Sequence, residues 1–145
     1  MNDTTSIGEA IESLYEAVSG PAGAERSWGR EQENHHPDSR LIRTGLDDGG
    51  RPFANVMSWD GYIENTREFF GTNAFYEKEV FRETLVFGNI AHAWSTYEAR
   101  HDPGDAIPFK RGINSIQLFF DGDRWKIMTI LWDNERGGNL LPERT

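Results

Sequence analysis

The spacing of apolar residues changes along the chain, from a helical repeat near the N-terminus to strand-like alternation near the C-terminus. Within the first 18 residues, large apolar side chains recur every three or four positions, which predicts an amphipathic helix. Gly20-Pro21 ends this helix. The stripe consists of Ile7, Ile11, Leu14, Tyr15 and Val18.

Two further helices are predicted in the first half of the chain. The segment from Ala22 to His35 is rich in Glu, Arg and Gln and has Trp28 as its one large apolar anchor, so a second helix is expected there, ended by Pro37. Ser58 is a suitable N-cap for a third helix. The apolar face of that helix would contain Tyr62, Ile63, Thr66, Phe69 and Phe70.

The remaining segments predict strands in three hairpins. Residues 40–57 contain two extended apolar segments around DDGG, whose glycines suit a tight turn. Residues 75–100 contain two strands that meet near Gly88-Asn89, and residues 111–135 form a closing hairpin whose loop is DG or DGDR. The charges in YEKEVFRE, at the start of the second hairpin, are expected on a solvated strand face.

Both faces of the closing hairpin carry large apolar side chains. Simple alternation predicts a core face made of Asn114, Ile116, Leu118, Phe120, Trp125, Ile127, Thr129, Leu131 and Asp133. The outer face would then expose Ile113, Phe119, Met128, Ile130 and Trp132, which is more apolar area than a soluble monomer usually exposes. A homodimer through the outer sheet face is therefore expected.

Composition and charge restrict the function classes. At 145 residues the chain fits a single domain, 1–145, with a core of about 7–135 and a tail at 136–145. A net charge of −9 disfavours nucleic acid and anionic membranes as partners. The chain has no cysteine, no basic n-region at its N-terminus and no apolar run long enough to span a membrane, so a cytoplasmic location is expected.

The order of these elements, together with three segments of sequence, resembles a known superfamily. The segments are HHPDSRLIRTG, GNIAHAWSTYEAR and RGINSIQLFFDGDRWKIMTILWDNE. They are similar to the nuclear transport factor two-like superfamily, and within it to the small SnoaL-like and ketosteroid-isomerase-like bacterial domains. The resemblance implies an α+β cone, in which a curved mixed or antiparallel sheet wraps around three helices from the N-terminal half, commonly as a homodimer.

The strand NIAHAWSTYEAR alternates small with larger side chains. Ala91, Ala93, Ser95 and Tyr97 are expected to face inwards, because small side chains on a concave face leave room for a ligand. The alternative is that a helix packs against these small residues. His92 would then point towards the proposed dimer face.

Four polar residues are candidates for general acid-base chemistry. His36 and Asp38, between the second helix and the first strand, could act as a base and its orienting carboxylate. Asp133 is a second candidate base, since a carboxylate at the mouth of an apolar cone would have a raised pKa, and Tyr97 could donate a hydrogen bond to a developing oxyanion. The sequence has no metal-ligand spacing such as HExxH, no G-x-G-x-x-G before a helix and no Walker-type loop, so no metal and no cofactor are expected.

Two functions remain open at this point. The first is a cofactor-free isomerase, dehydratase or cyclase that acts on a small apolar or aromatic compound. The second is a non-catalytic ligand-binding or protein-interaction module of the same fold. In either case the predicted cavity lining is Tyr62, Phe70, Ser95, Asn114 and Thr129.

Overall fold

The computed structural model describes residues 2–143 and confirms the predicted α+β class. Two long helices and one short helix precede or interrupt a sheet of six strands. The elements are α1 (Thr5–Val18), α2 (Trp28–Glu31) with a 3-10 turn (Gln32–Asn34), β1 (His35–Leu46), β2 (Pro52–Met57), α3 (Trp59–Thr72), β3 (Tyr76–Phe87), β4 (Ile90–Arg100), β5 (Lys110–Phe120) and β6 (Trp125–Asn134).

The sheet is mixed, with the strand order β2-β1-β6-β5-β4-β3. All neighbouring strands are antiparallel except β1 and β6, which are parallel. The helices α1 and α3 supply buried apolar side chains to the same core as the sheet, which is what the predicted cone requires. Trp125, Ile116 and Ile127 are completely buried in that core.

The first and third helices form as predicted, whereas the second is much shorter. The Ser58 hydroxyl accepts a hydrogen bond from the Gly61 amide at 3.1 Å and so caps α3. The predicted helix from Ala22 to His35 is helical only from Trp28 to Asn34. The reason is a loop before it, in which the Arg26 guanidinium donates hydrogen bonds to several backbone carbonyls and Gly23 has a positive φ of 75°.

A β-bulge at Met128 reverses the faces of the closing hairpin. Leu118 pairs with Ile127, but Gln117 pairs with Thr129, so Met128 has no partner of its own on β5. Every side chain of β6 after the bulge therefore points to the side opposite to simple alternation. The prediction that Thr129, Leu131 and Asp133 lie on the core face is wrong, and so is the outward placement of Ile130 and Trp132, which line the concave side.

A second bulge, at Val80, has the same effect in the β3–β4 hairpin. Phe81 pairs with Thr96, but the next pair is Glu79 with Tyr97. Glu79 therefore shares the inner face with Tyr97, and Glu77 shares it with Ala99. The predicted solvated face for YEKEVFRE is thus wrong for both glutamates.

Candidate functional site

A cavity of about 370 Å³ lies between the helices and the concave face of the sheet. Its volume is in the range of small-molecule sites. The apolar part of its wall is formed by Leu14, Val18, Leu41, Phe69, Phe70, Phe75, Ile130 and Trp132. The polar part is formed by Arg43, Tyr62, Asn65, Thr66, Glu77, Tyr97, Lys110 and Asn114.

Glu77 is the carboxylate of this cavity. Its backbone is fixed to Ser19, whose hydroxyl accepts from the Glu77 amide at 3.0 Å and donates to the Glu77 carbonyl at 3.3 Å. Within residues 2–143, the Glu77 carboxylate forms no hydrogen bond and no ion pair. Burial raises the pKa of Glu77 to about 7, although the charge of Lys110 acts in the opposite direction. Glu77 can therefore both accept and release a proton near neutral pH.

Lys110 faces Glu77 across a single small residue. Ala99 pairs with Glu77 on one side and with Lys110 on the other, so the two charged side chains flank a position with almost no side chain. The Lys110 ammonium lies 5.7 Å from the centre of the Phe75 ring. Burial lowers the pKa of Lys110, and the charge of Glu77 opposes this effect. The space above Ala99 therefore lies between a proton acceptor and a cation.

Tyr97 lies next to this pair on β4. Its hydroxyl donates to the Asn134 side-chain oxygen at 2.5 Å and to the Asp133 carbonyl at 3.2 Å. Burial is the main cause of a raised pKa of Tyr97, so the phenol stays protonated at neutral pH. Because a hydroxyl has a single proton, a ligand that accepts from Tyr97 would replace one of these contacts.

Arg43 and Trp132 form another part of the wall, contributed by β1 and β6. The two residues pair directly across the strands, and the guanidinium carbon of Arg43 lies 5.4 Å from the centre of the Trp132 ring. Arg43 also donates a hydrogen bond to the Asn65 side chain on α3. The rings of Tyr62 and Trp132 are perpendicular with their centres 6.2 Å apart, so aromatic surface continues from β6 to α3.

Four of the predicted site residues line the cavity: Tyr62, Phe70, Tyr97 and Asn114. Ser95 faces inwards as predicted, but α1 covers it, because its hydroxyl bonds the Tyr15 hydroxyl at 2.7 Å and donates to Glu79 at 2.5 Å. The Asn114 amide donates to the same Tyr15 hydroxyl at 3.0 Å. For Ser95 the alternative prediction is therefore correct: a helix packs against this small residue, and no space for a ligand is left there.

The other predicted residues lie outside the cavity. Thr129 is on the outer face, where it donates to the Gln117 side chain at 2.9 Å. His36 also lies on the outer face and accepts a hydrogen bond from the Asp38 amide, while the Asp38 side chain is exposed. Asp133 points outwards after the bulge and pairs with Arg136 at 2.7 Å, which lowers its pKa instead of raising it. None of these groups can reach a ligand in the concave cavity.

Sequence reasoning missed Glu77, Lys110, Arg43 and Trp132. The one available signal was Ala99, which continues the row of small inward residues on β4. Its neighbours on both adjacent strands must then face the cavity. Identifying those neighbours required the register of β3 and β5, which the bulge at Val80 changes.

The described residues contain no cluster of three or more His, Asp or Glu side chains that could hold a metal ion. No helix between residues 2 and 143 combines the length and apolar character needed to cross a bilayer. His92 points to the outer face as predicted, and its ring bonds the Ser115 hydroxyl at 2.9 Å.

No protein-family model matches the chain, and no curated protein matches its sequence. Solved structures do match. A protein of unknown function with a cystatin-like fold from Nostoc punctiforme PCC 73102 has a TM-score of 0.70 at 10% identity, covering 93% of this chain and 96% of that one. An NTF2-like protein of unknown function from Pseudomonas putida KT2440 has a TM-score of 0.63 at 15% identity, covering 88% and 82%.

A third match is the structure of LinA, with a TM-score of 0.66 at 8% identity, covering 90% of this chain and 84% of LinA. At these identities the matches establish the fold alone. The chain has the NTF2-like, or cystatin-like, fold, which confirms the fold that the resemblance to the superfamily implied.

Proposed function

We propose that the chain binds a small, largely apolar or aromatic molecule in the concave cavity and removes a proton from it without a cofactor. The observation that carries this proposal is the unpartnered carboxylate of Glu77, which has a pKa raised to about 7 and faces a cation across Ala99. A base is most effective when its pKa lies near the working pH. Glu77 takes the role that the sequence alone suggested for His36 or Asp133.

The proposed chemistry is proton abstraction from a carbon next to a carbonyl. Glu77 takes the proton, and the electron pair of the broken C–H bond moves to the carbonyl oxygen. The ammonium of Lys110 and the phenol of Tyr97 are the groups available to stabilise the developing oxyanion. Return of the proton to another carbon gives an isomerase, and loss of hydroxide, protonated to water, gives a dehydratase. Attack of the carbanion on a second carbonyl carbon of the same molecule, whose C=O π electrons move to its oxygen and take the proton from Glu77, gives a cyclase.

A neutral aromatic probe tests this chemistry before the natural substrate is known. In 5-nitrobenzisoxazole, a base removes the one ring proton on carbon 3, the N–O bond breaks, and a coloured cyanophenolate is released. We expect the protein to accelerate this reaction and the Glu77→Gln variant to lose about 10²-fold or more of the acceleration. The rate should rise with pH and level off above about 7, where Glu77 is ionised.

Glu83→Gln is the matched control for this experiment. Glu83 is on the same strand as Glu77 but exposed, so its substitution should leave the rate unchanged. Equal rates in the wild type and in Glu77→Gln would overturn the proposed base. Saturable binding of the probe without any acceleration would identify the chain as a non-catalytic ligand-binding module instead.

We also propose that two copies associate through the outer face of the sheet. A groove of about 620 Å³ on that face is lined mainly by apolar side chains from β3, β4, β5 and β6. Leu85, Phe87 and Ile90 are 68%, 82% and 62% exposed in the single chain. Burying such a patch against its own copy gives a closed two-fold dimer. The cytoplasmic location remains a prediction from the sequence.

A further inference from the structure

Two cations, Arg43 and Lys110, line the cavity, and neither forms an ion pair in the described part of the chain. Within residues 2–143, the only side-chain contact of Arg43 to an oxygen is the neutral amide of Asn65. A guanidinium has five N–H donors, so most of those on Arg43 are free. Both side chains belong to the wall of the same cavity as Glu77.

Among residues 2–143, Arg43 and Lys110 differ from the unpaired cations Arg30, Arg51 and Lys78, which are exposed to water, because both are partly buried in the cavity wall. The chain has 24 acidic and 15 basic residues, so carboxylates are in excess. Other arginines use that excess: Arg82 pairs with Glu79 at 2.7 Å, and Arg100 pairs with Glu98 at 3.0 Å. The excess positive charge in the cavity is therefore a local feature rather than a reflection of composition.

The two cations also act on each other. The charge of Arg43 contributes to the lowered pKa of Lys110, after the larger effect of burial. The two positive charges therefore disfavour each other in the cavity wall. A negative group placed between them would relieve this repulsion and give Arg43 the acidic partner that it lacks.

We propose that the ligand of this cavity is a planar or cyclic monocarboxylate, whose carboxylate binds Arg43 while its ring packs on Trp132. This inference rests on the proposed function and names the substrate class of the same site. A guanidinium matches the two oxygens of a carboxylate. The Arg43 guanidinium lies over the Trp132 ring, so a flat ligand whose carboxylate binds Arg43 has its ring next to Trp132.

The charges in the cavity balance for such a ligand throughout the proposed reaction. Before proton transfer, the negative charges of Glu77 and the carboxylate match the two cations. After transfer, Glu77 is neutral and its charge has moved to the enolate oxygen of the ligand. The total stays at zero, with Arg43 holding the permanent charge and Lys110 facing the developing one. A neutral substrate would leave one cation unmatched at both stages.

Binding of 2-naphthoate and 2-naphthamide tests the inference, because the two probes share a ring and differ mainly in charge. Affinities can be measured by titration calorimetry and by quenching of tryptophan fluorescence, to which Trp132 in the wall contributes. We expect the wild type to bind the carboxylate at least about tenfold more tightly, a preference that weakens with added salt. Arg43→Gln should abolish the preference, and Arg43→Lys should keep part of it.

The amide serves as an internal control, because its affinity should be similar in the wild type and in Arg43→Gln if the cavity stays intact. Arg67→Gln, which removes an exposed arginine on α3, should keep the full preference. Equal affinities of the wild type for the two probes, or no binding of either, would overturn the inference. Glu77-dependent cleavage of the neutral benzisoxazole in that case would leave the proposed base intact, so the two failures are distinguishable.

Discussion

The phenol of Tyr97 lies directly over the backbone of Gly112, and the contact exists because Gly112 has no side chain. A Cβ atom at position 112 would overlap the Tyr97 hydroxyl and the carbonyl oxygen of Asp133. Gly112 pairs with Tyr97 on β4 and with Asn134 on β6. The missing side chain therefore lets Tyr97 reach across β5 to the Asn134 side chain, and it sets the position of the phenol at the cavity wall.

Gly112→Ala should therefore displace Tyr97 and destabilise the fold. The added methyl group cannot be accommodated by a flexible side chain alone, since one of its contacts is backbone. We expect the free energy of unfolding to fall by about 1–3 kcal/mol, as in other overpacked cores. Urea unfolding measures this loss, and the benzisoxazole assay should show reduced activity under conditions in which the variant is folded.

Gly71→Ala is the matched control for that substitution. Gly71 lies near the end of α3 with open space around the position of a Cβ atom. Because alanine favours a helix over glycine by up to about 1 kcal/mol, this variant should be as stable as the wild type or more stable. Equal destabilisation by both substitutions would show that the Tyr97 contact is not the cause.

The raised pKa of Glu77 predicts that the carboxylate costs stability. In the unfolded chain the pKa of Glu77 is 4.5, and in the fold it is about 7. Between these values the folded state binds more protons at Glu77 than the unfolded state does, so this contribution to stability falls as pH rises through the window. Above about pH 7 the deficit is constant and amounts to at most about 3 kcal/mol.

Glu77→Gln should accordingly be more stable than the wild type at about pH 8 and equally stable at about pH 4. This gain in stability is opposite to the loss expected when a carboxylate in a structural ion pair is removed. It would accompany the loss of activity described above. Thermal or urea unfolding at both pH values measures the difference, with Glu83→Gln as the exposed control. If Glu77→Gln is less stable than the wild type at high pH, burial of the ionised Glu77 carboxylate does not cost stability and the prediction is wrong.

A buried carboxyl group outside the cavity that is hydrogen-bonded to its neighbours gives the contrasting case. Glu31 and His35 are in contact at 2.9 Å with side chains only 1% exposed. Glu31 also accepts hydrogen bonds from Ser13 at 2.7 Å and from Asn34 at 3.2 Å. This network fixes the 3-10 turn to α1 and to the start of β1.

Glu31→Ala should reduce the free energy of unfolding by about 3–5 kcal/mol, because it leaves several buried polar groups without their acceptor. Glu64→Ala is the control, since the ion pair of Glu64 with Arg67 is exposed and such pairs contribute less than about 1 kcal/mol. Urea unfolding of the two variants compares them directly. A similar, small effect of both would indicate that the Glu31 network contributes little to the fold.

The fold was accessible from the sequence because local signals agreed with it. The apolar stripe of α1 and the cap at Ser58 predicted two helices correctly. The row of small residues on β4 identified the concave face, and with it Tyr97. These signals depend only on neighbours along the chain, so a periodic pattern is enough to find them.

The site was less accessible, because it depends on the two bulges. At Val80 the bulge turns Glu77 inwards, and at Met128 it turns Trp132 inwards and Asp133 outwards. A single extra residue reverses every later side chain of a strand, and neither position carries glycine or another local marker. Asp133, the candidate base chosen by alternation, is therefore on the wrong side of the sheet.

The proposed dimer can be tested by one substitution on the outer face. Phe87 is 82% exposed beside the outer groove, near the turn between β3 and β4. Phe87→Glu would place a carboxylate in the interface, and the excess negative charge of the chain would increase the repulsion between copies. Sedimentation velocity at micromolar concentration should show a dimer for the wild type and a dissociation constant raised at least about tenfold for the variant, since a buried unpaired charge costs several kcal/mol.

Ile107→Glu is the matched control for the dimer. Ile107 is also 82% exposed, but it lies in the loop that joins β4 to β5, at the opposite end of β4 from Phe87. The same change of side chain there should leave the dimer intact, because the outer groove does not include this loop. A wild type that sediments as a monomer would refute the proposed association. If both variants dimerise more weakly than the wild type, net charge rather than the outer sheet face controls dimerisation.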